Sequence, residues 1–274
     1  MVVLGYLVAA AAAIVAALVV TGRGYVVRPD PDFDAHEPSG RLVGVLGALA
    51  GFAVTGIIFL VTQSGRTIDP NGTAFTTALA LFVLADFGYV SSSLLFASVW
   101  ARKRASDFHL PAAQYAGAYV TMSTTIFVGW FALRALFETF GLSAMADLMG
   151  WFLIAALAGG HGLLGTALYR SGYTTARTAV LLPTIALLVT AGYGVLTGVV
   201  APSLRVADAT ITIIVLAFVV GGFLQVSMTL LPLLARQERF VPFLLRRWHF
   251  VVVVYAEAAM VIQGMLLLSA FGLA

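Results

Sequence analysis

Four polar side chains lie deep inside long apolar runs of the chain: Asp86, His161, Gln225 and Glu257. A carboxyl, an imidazole or an amide in such surroundings either hydrogen-bonds across helices or handles protons, ions or a small polar ligand. At 1.5 Å of rise per residue, Asp86 lies roughly 21 Å from the helix end at Trp100. Glu257, counted from His249, and His161, counted back from Tyr169, each lie roughly 12 Å deep, with Gln225 at a similar level. His161, Gln225 and Glu257 can therefore meet in one layer, with Asp86 one or two turns higher. His109 and His249 stand at helix starts near the interface, and His36 stands in a loop.

The same residues limit the chemistry. His161 is flanked by Gly159, Gly160 and Gly162, which would let a flat macrocycle or a second helix approach. A bis-histidine haem needs a partner at matching depth, and His109 and His249 are too shallow, so no cofactor is expected and haem stays an alternative. No histidine pair has metal-ligand spacing, and there is no phosphate-binding glycine loop, serine elbow or aspartate-rich diphosphate motif. With no cysteine in the chain, thiolate sites and disulfides are excluded. Lys103, the one lysine, falls in a loop, which excludes a retinal Schiff base. No catalytic motif emerges, so a non-enzyme is favoured. The acidic stretch Asp30, Asp32, Asp34 and Glu37 lacks the ligand spacing of a calcium loop and reads as a solvated segment. Arg134 and Glu138, four apart, read as a structural pair.

The elements that position these groups follow from composition. Of 274 residues 61% are hydrophobic and 10% charged, against about 25% charged in soluble domains, so a water-facing surface cannot be built. Soluble enzymes, nucleic-acid binders and disordered chains are excluded. Eight segments are long enough to cross a bilayer core of about 30 Å: 2–20, 42–62, 74–100, 110–133, 148–169, 178–200, 209–234 and 250–274. Turn-rich polar stretches separate them, the longest being 21–41. The fold class is all-α: a single polytopic membrane helix bundle over 1–274, with eight transmembrane helices. Twelve basic residues fall in the loops after spans one, three, five and seven, against Arg66, Arg134 and Arg205 on the other side. That bias places the first set in the cytoplasm and both termini outside, in the cell membrane.

The chain also echoes itself. Phe108-His109 followed by Tyr115-Ala116-Gly117-Ala118 returns as Trp248-His249 followed by Tyr255-Ala256-Glu257-Ala258. This fits two parallel four-helix repeats, 1–137 and 138–274.

Three stretches resemble subunit III of haem–copper oxidases. Trp248-His249-Phe250-Val251-Val252-Val253-Val254-Tyr255 is similar to the opening of that family's last helix, and His161-Gly162-Leu163 to its Phe-His-Gly-Leu-His-Val segment. Thr125-Ile126 with Gly129, Leu133 and Glu138 is similar to the helix between, and Ser91-Ser92-Ser93 to the serine pair one helix earlier. Val252 replaces the motif's aspartate, Leu164 its second histidine, and two extra spans separate the His161 and His249 helices. The resemblance implies a non-catalytic subunit of a respiratory complex, without redox metal, that binds lipid and supports proton uptake beside other membrane subunits. Two other classes fit the residues: a small proton- or ion-coupled transporter or channel, and a quinone- or haem-binding membrane anchor.

Overall fold

A computed structural model describes residues 34–65, 72–101, 109–170 and 176–195, with isolated helical positions at 8, 11, 12, 15, 256, 259–261, 263 and 264. The continuous stretches form α1 (His36–Gln63), α2 (Thr73–Trp100), α3 (His109–Thr139), α4 (Ser143–Arg170) and α5 (Ala176–Val195). Four stretches are long and apolar enough to cross a membrane: His36–Gln63, Ala74–Trp100, Gly117–Thr139 and Ser143–Arg170. The chain is thus an all-helical integral membrane protein over the described residues. The helix within 178–200 is apolar but shorter, at Ala179–Gly192. The seventh expected span, 209–234, lies outside the described residues. So do most of the first and last.

The first described helix begins at His36, six residues ahead of the expected span. The Asp34 carboxylate accepts the His36 backbone N–H at 2.9 Å and contacts its Nδ1 at 2.8 Å. Glu37 in the first turn pairs with Arg41 one turn on. Acidic groups beside unpaired N–H groups stabilise a helix start, so the end of the acidic segment is helical rather than loop.

Each helix packs on the next in chain order, and α1 and α3 touch lightly. The periodicity of the buried residues explains the row. Helix α1 buries Ser39, Leu46, Ala53 and Leu60, one residue in seven, a single seam that among the described residues faces mainly α2. Helix α2 buries two columns at the same spacing: Phe75, Phe82, Tyr89 and Phe96, and Ala78, Ala85, Ser92 and Val99. Large and small residues alternate along that face, so rings fill the gaps left by their neighbours. Glycines on the flanking helices receive the aromatic column. A Cβ at Gly56 of α1 would lie 2.9 Å from the Phe82 ring, and one at Gly129 of α3 would collide with the Tyr89 hydroxyl. The Trp100 ring lies over Gly40. Phe96 meets Tyr115 of α3 edge-on, with centroids 5.6 Å apart.

The turn from α3 to α4 is equally determined. Gly141 takes φ +68°, a left-handed conformation that side chains disfavour. Its N–H donates to Glu138 and that of Leu142 to Phe137, at 3.0 and 2.9 Å, closing a Schellman motif. The chain reverses within three residues, and α4 returns alongside α3. Its buried positions include Ala146, Gly150, Leu153, Leu157, His161, Leu164 and Leu168, a helical stripe that carries His161 inward.

Candidate functional site

His161 is 1% exposed, on the inner stripe of α4. Its imidazole faces the backbone carbonyl of Met260. The approach does not close into a hydrogen bond, and neither Nδ1 nor Nε2 has a partner among the described residues. The neighbouring glycine, Gly160, brings α4 close to α3: a Cβ there would lie 3.3 Å from Ser123 Oγ. The glycines around the histidine thus serve helix approach on one side, while Gly159 and Gly162 face open space.

The residues from 256 to 264 that are described are helical and all buried: Ala256, Ala259, Met260, Val261, Gln263 and Gly264. They meet three helices. Gln263 Nε2 donates to Thr124 Oγ1 of α3 at 3.0 Å, and that hydroxyl donates to the Val120 carbonyl at 3.1 Å. Met260 faces His161 of α4. A Cβ at Gly264 would collide with Thr190 Oγ1 of α5. Glycine is needed there because a helical side chain covers the turn N-terminal to it, which is the ground Thr190 takes.

Threonines on these helices divide into two kinds. Thr121, Thr124, Thr125 and Thr184 each donate to the carbonyl four residues back, which satisfies a hydroxyl within its own helix. Thr190 does not. Its Oγ1 is buried with no partner among the described residues. The layer is therefore built from Thr124, His161, Thr190 and Gln263, one group from each of four helical segments.

The expected site residues are distributed as follows. His161 is in the interior. Asp86 is half-buried on α2, whose packing partners are α1 and α3, whereas α4 packs on α3 and α5. Gln225, His249 and Glu257 lie outside the described residues, as does the side chain of His109, which heads α3. Gln263, Thr124 and Thr190 were not anticipated. Gln263 had a signal, since it is a lone amide in an apolar run, the criterion that selects Gln225. The two threonines had none, because most threonines in a span bond to their own helix. Arg134 Nε meets Glu138 Oε1 at 3.0 Å, as the spacing predicts. Among the described residues no three His, Cys, Asp or Glu side chains converge to hold a metal ion.

Comparison with protein-family profiles, curated proteins and solved structures found no match.

Proposed function

We propose that this integral membrane protein is a small proton- or ion-coupled transporter or channel, with His161 as the group that takes up the transported charge. The observation that carries this is an imidazole 1% exposed with both ring nitrogens unpartnered among the described residues. The large majority of buried side-chain polar atoms have a hydrogen-bond partner, so a buried imidazole without one calls for a reason other than packing. Imidazole is also the side chain whose ordinary pKa lies nearest neutrality, so a small change of surroundings switches its charge. Gln263 and Thr124 fix the helices on either side. Glu257, three residues before Met260 in the sequence, is assigned as the acidic partner, with Gln225 and Asp86 as further groups of the same pathway. The protein lies in the cell membrane, surrounded by lipid, with both termini outside.

The resemblance to oxidase subunit III supports a second placement of the same group. An accessory subunit that supports proton uptake also needs a protonatable side chain inside its bundle, and His161-Gly162-Leu163 is among the stretches that carry the likeness. A haem or quinone anchor is the third.

Purified protein reconstituted in liposomes with an entrapped pH dye tests the proposal. An imposed potential should drive proton flux, and His161→Gln should abolish it while the variant still inserts and folds. Flux that is absent in the parent, or unchanged in the variant, ends the transporter reading. The visible spectrum and the co-purifying proteins then choose between the others: a Soret band for a haem anchor, oxidase subunits for the accessory role.

A further inference from the structure

The seam between α4 and α5 carries a latch and a dry polar pair. The latch begins with Pro183, which lies inside α5 and has no backbone N–H. The carbonyl of Ala179, four residues earlier, therefore loses its helical donor. A freed carbonyl packed against a neighbouring helix is costly unless that neighbour covers it. Gly165 of α4 covers it: a Cβ there would collide with the Ala179 oxygen and lie 3.4 Å from Cγ of Pro183. No larger residue would let the Cα–H close over that oxygen.

The polar pair lies one turn from the latch on α4 and two turns on α5. His161 precedes Gly165 by one turn, and Thr190 follows Pro183 by two. Nδ1 and Nε2 of His161 and Oγ1 of Thr190 are sealed from solvent and unpartnered among the described residues. Both residues press on the same turn of the opposing helix, His161 at the Met260 carbonyl and Thr190 at Gly264. Polar groups kept dry and unpaired carry a free-energy cost that contact with water removes. A helix with one missing backbone bond, bordering groups that favour water, bends most readily at that bond.

We propose that the α4–α5 seam is a gate. The conformation described is its closed, dry state. Opening bends α5 at Pro183, lifts Ala179 off Gly165 and admits water to His161 and Thr190. The gate rests on the proton- or ion-coupled reading for its purpose, but its movement is testable without transport.

The chain has no cysteine, so a single introduced thiol reports alone. Thr190→Cys in full-length protein in liposomes is treated with N-ethylmaleimide, and modification is followed by mass spectrometry. The thiol should react slowly but to completion. Pro183→Ala, which restores the donor to Ala179, should slow the reaction severalfold, and Gly165→Ala, which props the seam apart, should speed it severalfold. Leu153→Cys, in the fully buried core higher on α4, should respond to neither. A Thr190→Cys that stays unmodified in every background overturns the gate. So does a Leu153→Cys that accelerates in parallel, since that marks general loosening. Should Gly165→Ala fail to fold, the Pro183→Ala arm decides: an unchanged or faster rate overturns the proposal. Opening without proton flux removes the transporter reading and leaves the gate, while flux with an inert thiol does the reverse.

Discussion

At the residue scale, the bond from Gln263 to Thr124 is the buried side-chain link between helices that the layer depends on. Replacing Gln263 by leucine keeps the volume and removes the donor, while Thr124 retains its own bond to Val120. The expected loss is about 1 kcal/mol, the usual worth of an interhelical bond in a membrane. Unfolding in graded detergent mixtures measures it. A loss near zero would show that the two helices keep their register without the amide. The pair Arg134–Glu138 should matter less. Its carboxylate side chain is 44% exposed, so Glu138→Gln should cost about 0.5 kcal/mol or less.

At the element scale, the Schellman turn makes Gly141 the residue on which the α3–α4 reversal depends. Gly141→Ala places a Cβ at φ +68° and should cost about 1 kcal/mol, read by the same unfolding titration. An equal stability in both forms would mean that Leu142 and Phe137 hold the turn unaided. The four membrane-length helices among the described residues were legible in the sequence, because length and hydropathy are all that a span requires. Their inward faces were not. A helix in lipid is apolar all round, so the contrast between wet and dry sides that orients a soluble helix is missing. The heptad columns of Phe75, Phe82, Tyr89 and Phe96 were the available signal on α2. His161 was legible because a lone imidazole in a span is conspicuous. Thr190 was not, since its importance lies in a bond it fails to make.

At the scale of the whole molecule, the charge bias predicts that Glu37 faces the cytoplasm and the α3–α4 turn faces out. Single cysteines at Glu37 and Leu142, both exposed, should be labelled by an impermeant reagent from opposite sides. Ser39 is fully buried and would be a poor probe. Labelling of both from one side would defeat the topology. The repeat expectation belongs to the same scale. If 1–137 and 138–274 are equivalent about an axis along the membrane normal, the fourth and eighth helices should meet there near equivalent positions. Thr124 and Gln263, which are bonded to each other, are 139 apart in sequence, one short of the 140 that separates His109 from His249. A full structure in which the two halves do not superpose would dismiss the duplication.

The packing of neighbours in chain order also has a meaning for biosynthesis. As each of α2 to α5 leaves the ribosome and enters the bilayer, the helix it will rest on is already there. None of these contacts has to wait for a distant part of the chain. The polar layer is different, because its fourth side comes from residues 256–264. Until that segment is synthesised, His161, Thr190 and Thr124 face whatever the half-built bundle offers, be it lipid or an insertion chaperone. A ribosome stalled before residue 256 would therefore hold the nascent protein at its most vulnerable stage, and it is the arrival of residues 256–264 that takes these groups out of the quality-control machinery's reach.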